Sequence, residues 1–288
     1  MIEQIVFYGK GGVGKSTLIS NISAALVETG FKVMQIGCDP KADSTSILNG
    51  GFAIPTITDR LRKNGNISAK DLIHQGFKGV DCVELGDPGN GEAGIERIFE
   101  QLEQGGLFEA TRPDYVLYDV PGEYAFAAYH KPIHRLGAKL VFVVSNADFK
   151  SLSAANSIYA TLERFGESQA PIPFGGVIPN GISNSFEESF ISDFAKHTKT
   201  RTLGRIPRSL MVRQCELYGK TVIEASPLSN QSYYYRRLAN QIVDLSSSLK
   251  INNQPRALTD DELRNWAREW GERLYAMENG LVTDGAAI

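Results

Sequence analysis

Gly9-Lys10-Gly11-Gly12-Val13-Gly14-Lys15-Ser16-Thr17 is the stretch whose reading decides the fold. An apolar run, Ile5-Val6-Phe7-Tyr8, precedes it and reads as a buried strand, while a helix-like segment from Ser16 to Glu28 follows. Glycines let a backbone turn its N–H groups onto an anion, and the helix aims its positive end at the same point. The pattern G-x-x-x-x-G-K-[ST] is met from Gly9 through Ser16. It wraps Gly11, Gly12, Val13, Gly14 and Thr17 around the phosphates, with Lys15 against the outer ones and the Ser16 hydroxyl on a magnesium ion. Strand, loop and helix in register argue against a turn that happens to contain lysine. They predict a nucleoside-triphosphate site of the P-loop type in an α/β protein, its mostly parallel β-sheet flanked by helices.

The remaining chain fits that frame. At 288 residues, 42% hydrophobic and 22% charged, it is an ordinary globular sequence with enough apolar material for a core. A formal charge of −3 argues against non-specific binding to nucleic acid or to an anionic membrane. The longest apolar runs, such as Leu140-Val141-Phe142-Val143-Val144, are too short to span a bilayer, and Met1-Ile2-Glu3 leads straight into a strand. A cytoplasmic protein is expected. Three cysteines, Cys38, Cys82 and Cys215, lack C-x-x-C spacing and read first as small buried hydrophobes.

Lys32 to Cys38 reads as a second strand, ending in Gly37-Cys38-Asp39-Pro40-Lys41-Ala42-Asp43-Ser44-Thr45. Open α/β sheets keep ligands at the carboxyl ends of their strands, so Asp39, Lys41 and Asp43 are expected near the phosphates, as a first switch loop. The competing reading is a polar connection with Pro40 as turn former. Asp114 to Gly122 is an apolar strand closing in Asp119, which can hold the water shell of magnesium, and Gly122, whose N–H can meet a terminal phosphate. Val80 to Leu85 reads as a strand running into the glycine-rich loop Gly86 to Gly94 and a helix from about Ile95 to Glu103. Short helices are expected around Ile57 to Leu61 and, behind a Ser68 cap, to Leu72. Strands at Lys139 to Ser145 and Phe174 to Pro179 alternate with a helix from Ser151 to Phe165; the second ends in Asn180. Helices from Ser185 to His197, Leu210 to Tyr218 and Ser229 to Leu249 follow.

From Leu258 to Met277, apolar residues at Leu263, Trp266, Trp270, Leu274 and Met277 make one helical face. Six acidic residues and three arginines between Asp260 and Glu278 are the wrong balance for anionic lipid, so this helix is expected to pack on its own domain or on a partner. The domain reading is a P-loop ATPase domain at 1–272 and a C-terminal tail at 273–288.

With GKGGVGKST, GCDPKADST, YDVPG and the strand GGVIPN in order, the chain resembles the nitrogenase iron protein family, within the wider MinD, ParA and ArsA class. The second lysine in the loop, Lys10, is the mark of that class. The resemblance implies a face-to-face homodimer in which Lys10 reaches the partner subunit's nucleotide. It implies ATP hydrolysis using Lys10, Lys15, Asp39 and Asp43, with Lys41 and Gly122 matching the family residue for residue. Asn180 would read the adenine edge, and the loop with Pro207 and Arg208 would close over the base, which favours Mg-ATP over a guanine nucleotide. Glu123 stands where the family has an aspartate that positions the attacking water, one methylene longer, so slow turnover is expected.

The family also holds a 4Fe-4S cluster between subunits, two cysteines from each. The G-C-A-G-R-type loop reads Gly91-Glu92-Ala93-Gly94-Ile95 here, and the D-V-x-G-D-x-x-C-type stretch reads Asp119 to Phe126. Both ligand positions lack sulfur, and phenylalanine cannot ligate iron. The cluster is predicted absent, with Phe126 lining its former space and Glu92 facing solvent or a partner. Ile95 replaces an arginine that docks the electron acceptor.

The sequence therefore predicts a homodimeric ATPase acting as an ATP-dependent conformational switch on an unidentified protein partner, without nucleic-acid or membrane binding and without oxidoreductase chemistry. One alternative is an electron-donating reductase with unusual iron ligation. Another is a positioning ATPase of the ParA or MinD kind.

Overall fold

Every residue from Ile5 to Tyr8 is buried, the pattern of a central strand covered on both faces. In a computed structural model, which describes residues 2–64, 69–122, 126–168, 172–248 and 254–281, this run is β1 (Glu3–Tyr8), and α1 (Lys15–Glu28) follows it. The chain continues through β2 (Val33–Gly37), α2 (Ile57–Asn64), α3 (Ala69–Leu72), β3 (His74–Gln75), β4 (Asp81–Glu84), α4 (Gly91–Gln104), α5 (Leu107–Thr111) and β5 (Tyr115–Asp119). Beyond them lie α6 (Phe126–Arg135), β6 (Leu140–Ser145), α7 (Phe149–Ser168), β7 (Phe174–Ile182), α8 (Ser185–His197) and β8 (Ile206–Pro207). Four helices finish the described chain: α9 (Leu210–Leu217), α10 (Val222–Ala225), α11 (Asn230–Ser246) and α12 (Asp260–Glu278).

The strands form one eight-stranded sheet in the order β3-β4-β2-β5-β1-β6-β7-β8. Neighbours run parallel except at the β3–β4 edge, which is antiparallel. Successive residues of each strand face opposite sides. Val6, Tyr8, Ile36 and Tyr118 enter a core closed by α4, α6, α7, α8 and α12, while Ile5, Phe7, Leu117 and Phe142 enter another closed by α1, α10 and α11.

Register positions the site. Phe7 and Gly37 both pair with Asp119, and Gly37 pairs with Glu84, so the carboxyl ends of β1, β5, β2 and β4 lie at one level.

At the other end of the chain, α12 begins with a capping box between Thr259 and Glu262. Leu263, Trp266 and Trp270 are buried, but Leu274 is exposed, so only part of the apolar face packs. Both indole N–H groups donate to Asp193 Oδ2 of α8, at 2.9 and 2.8 Å. This helix runs through residue 272 without a break and ends at Glu278. Among the described residues, no helix is long and apolar enough to cross a membrane.

Candidate nucleotide-binding site

Gly14 is the N-cap of α1 and holds φ 80°, ψ 26°, the left-handed region that glycine enters without strain. The first bond of the helix runs from Leu18 N to Gly14 O at 3.0 Å, so the N–H groups of Lys15, Ser16 and Thr17 have no helical acceptor. A Cβ placed on Gly11 or Gly12 would meet nothing within 4 Å, so the outer wall of the loop is open. These are the features of an anion cradle at a helix N-terminus.

Lys15 turns its ammonium onto Asp119 Oδ1 at the end of β5. The other oxygen, Oδ2, accepts from the Ser44 hydroxyl at 2.6 Å. One buried carboxylate therefore joins the phosphate-facing lysine to the loop after β2. Gly122 backs onto the same cradle, where a Cβ would lie 3.3 Å from Gly11 N and 3.4 Å from Gly9 O. Within the 39–45 loop, Asp39 Oδ1 accepts from Lys41 N at 2.9 Å, and Ala42 N returns to Asp39 O at 2.9 Å. Asp39 is half-buried, whereas Lys41 and Asp43 are exposed beside the site. Lys10 is half-buried on the open wall, and Ser16 is half-buried in the first turn of α1. Glu123 lies outside the described residues.

Glu84 is a site residue that the sequence did not single out. Its Oε1 accepts from Thr45 N and Thr45 Oγ1, both at 2.7 Å, while Oε2 is buried without a hydrogen-bond partner. Burial pushes this carboxyl up to about 7; the Thr45 donors lower it, and the Asp119 and Asp43 charges raise it. Its only sequence signal is an acidic residue closing an apolar strand.

Beside the cradle a cavity of about 320 Å³ is lined by Val13, Gly14 and Thr17 on one wall and Asn180, Pro207, Arg208 and Glu216 on the other. Asn180 does not close its strand. It pairs with Ile206 inside β7, which runs on to Ile182 because β8 supplies a further ladder. Its amide donates to Val13 O at 2.7 Å, tying the strand to the phosphate loop. Thr17 Oγ1 donates to Glu216 Oε1 of α9 at 2.5 Å, a contact across 199 positions of sequence for which no local motif exists.

A groove of about 390 Å³ runs between the two candidate switch loops, with Pro40 on one wall, Pro121 on the other and Ile95 and Tyr129 in its lining. Ile95 is buried in the core and Glu92 is exposed in the first turn of α4. The side chain of Phe126 lies outside the described residues. All three cysteines are buried in separate places: Cys38 after β2, Cys82 within β4 and Cys215 in α9. Burial raises each thiol, that of Cys38 well above its usual value and that of Cys82 to about 12. Among the described residues no group of three or more His, Cys, Asp or Glu is placed to hold a metal ion.

The family described as "4Fe-4S iron sulfur cluster binding proteins, NifH/frxC family" matches over residues 3–273. A nitrogenase iron protein 2 from Paenibacillus durus is 43% identical over 290 residues, covering 99% of this chain and 98% of that one. The nitrogenase iron protein of Methanospirillum hungatei is 39% identical over 276 residues, covering 93% and 96%. Among solved structures, the septum site-determining protein MinD of Pyrococcus horikoshii OT3, in complex with Mg-ADP, superposes with a TM-score of 0.67. It is 21% identical and covers 86% of this chain and 98% of its own, a likeness of fold.

Proposed function

The chain belongs to the NifH/frxC family of 4Fe-4S iron sulfur cluster binding proteins, and on that premise we propose that it is a homodimeric Mg-ATPase that drives a protein partner by conformational change, without the cluster of its relatives. The observation that carries this reading is the shared carboxylate of Asp119, which grips Lys15 and Ser44 at once. Phosphate oxygens arriving at the cradle compete for the Lys15 ammonium, so nucleotide occupancy is felt directly at the 39–45 loop.

The residues present fit a magnesium nucleotide. The cradle is open at Gly11 and Gly12, and Ser16 and Asp119 are hard oxygen donors of the kind magnesium takes. Magnesium, when bound, supplies charge neutralisation on the β- and γ-phosphate oxygens. In this reading Lys15 holds those phosphates, Gly122 offers its N–H to the terminal one, and Lys10 reaches the partner subunit's nucleotide. Water attacks the γ-phosphorus, the bond to the β-phosphate oxygen breaks, and ADP and inorganic phosphate leave. Asp39, Asp43 and Glu123 are the carboxylates assigned to orienting that water and relaying the change.

The residues do not fit the family's cluster. Iron–sulfur clusters are held by thiolates that neighbouring subunits can share, and these three thiols are buried, scattered and raised away from the thiolate form. The competing reading, an electron-donating reductase, is favoured by the family description and by the nitrogenase iron proteins among the relatives. Light scattering with and without a hydrolysis-resistant ATP analogue tests the switch. Nucleotide-dependent dimer tightening, with Lys10→Ala losing hydrolysis but keeping binding, supports it; a monomer under both conditions overturns it.

A further inference from the structure

Gln35 interrupts an apolar strand and is fully buried within β2. It is the hub of a closed polar network. Ser23 Oγ donates to Gln35 Oε1 at 2.8 Å. Gln35 Nε2 lies 3.0 Å from Ser44 O, 3.1 Å from Ser44 Oγ and 3.1 Å from Ser20 Oγ. Ser20 Oγ in turn donates to Ser44 O at 3.0 Å. Ser20, Ser23 and Ser44 are all buried to within 1%.

Counting protons fixes the direction of every bond. A hydroxyl has one hydrogen, and a carboxylate can only accept. Ser44 Oγ spends its hydrogen on Asp119 Oδ2, so it must accept from Gln35, and the Gln35 amide cannot turn end for end because its oxygen would then face Ser44 O, which has no hydrogen to give. The neighbouring residue is pinned as well, since Thr45 gives both its N–H and its hydroxyl to Glu84. The far half of the 39–45 loop is thus bolted to α1, β2 and β4, and the near half carries Asp39, Lys41 and Asp43.

We infer that Gln35 is a positioning residue that, through Ser44, fixes the plane of the Asp119 carboxylate for the magnesium nucleotide. The inference rests on the reading of the site given above. When phosphates take Lys15 away, Asp119 Oδ1 is freed while Oδ2 stays held, so the carboxylate presents a fixed edge toward the cation's water shell. Without Gln35, Ser44 Oγ has no donor, Ser44 O keeps only the Ser20 hydroxyl, and the Ser44 hydrogen can turn elsewhere. The carboxylate is then free to swing as Lys15 leaves it.

Calorimetric titration with ATP, once with magnesium and once with EDTA, separates this from a general loss of structure. Gln35→Met keeps the volume and removes the polar head. The gain in ATP affinity that magnesium confers should fall about tenfold, the size expected when a charged group loses one supporting hydrogen bond, and affinity in EDTA should stay at the wild-type level. Ser23→Ala, which removes the donor that anchors the Gln35 amide oxygen, should lose part of the same gain and carries the test if Gln35→Met fails to fold. Equal losses with and without magnesium, or no loss in either, overturn the inference. A wild-type protein that binds no Mg-ATP at all overturns instead the reading on which it rests.

Discussion

Lys15 and Asp119 stand 104 positions apart in sequence and are ion-paired at the carboxyl end of the sheet, with side chains only 9% and 1% exposed. A buried pair of this kind is costly to break from one side, because the remaining charge has neither water nor a partner.

Lys15→Met is therefore expected to act twice. It should abolish Mg-ATP binding, since the charge facing the phosphates is gone. It should also lower stability by about 3 kcal/mol, the cost of a stranded buried carboxylate. Adding Asp119→Asn should restore most of the stability and none of the binding. Denaturant melts beside calorimetry read the two effects separately, and unchanged ATP affinity in Lys15→Met would refute the site.

Glu84 gives a pH dependence with a definite sign. Its carboxyl is raised from 4.5 to about 7 in the fold. Between those values the folded chain keeps a proton that the unfolded chain has released. The contribution is therefore complete below the unfolded value and is lost as pH rises through about 7. Glu84→Gln should be relatively more stable near pH 8 than near pH 5, by up to about 3 kcal/mol at 1.36 kcal/mol per unit. Denaturant midpoints in EDTA at both pH values decide it, and parallel curves for wild type and variant would remove the assignment.

The thiols predict a protein without colour. After anaerobic reconstitution, iron analysis should find no stoichiometric four-iron signal per dimer, and the visible spectrum should lack a cluster band. Replacing Cys38, Cys82 and Cys215 together by alanine should leave Mg-ATP binding intact, because all three are buried and none lines the phosphate loop. A four-iron signal that disappears with any one of them would restore the reductase.

Asp193 links α8 to α12 by accepting from both indoles. Burial pushes its carboxyl up, but the two indole donors, with His197 and Arg273, bring it net below the usual range. Asp193→Ala leaves two N–H groups without an acceptor and should cost about 2 kcal/mol, with Asp193→Asn costing less. The chain has two tryptophans, both on α12, so their fluorescence reports the undocking directly. An unshifted emission and melt in Asp193→Ala would count against this anchor.

The parts of the fold legible in the sequence are those whose cause is local. The glycine loop, α1 and the apolar strands announce themselves within a dozen residues, and α8 runs over the expected span, Ser185–His197. The helix α4 begins four residues before its expected start, at Gly91, because glycine carries no helical signal. The helix α6 leaves no helical signal in the sequence, because Pro132 inside it reads as a breaker. Two-residue strands such as β8 leave no pattern. The candidate site divides in the same way. Lys15 and Ser16 stand in one motif, whereas Gln35, Ser44, Glu84 and Asp119 meet only because parallel pairing brings four strand ends to one level. Gln35 in isolation looks like a flaw in a strand.

Gly37 sits in the middle of that meeting, and the space a side chain would need there is already taken. A Cβ at this position would lie 2.6 Å from Glu84 Cδ and 2.7 Å from Ser44 Cβ, closer than atoms pack in an interior. Three segments thus share one small volume, and the order in which they can change is constrained. Any enlargement at 37 must follow a reduction at both 44 and 84, and each of those reductions alone loosens the loop. In a mutational library, position 37 would look invariant when varied singly and tolerant only against a doubly altered background. Such higher-order epistasis is a signature that deep mutational data on triple variants can detect.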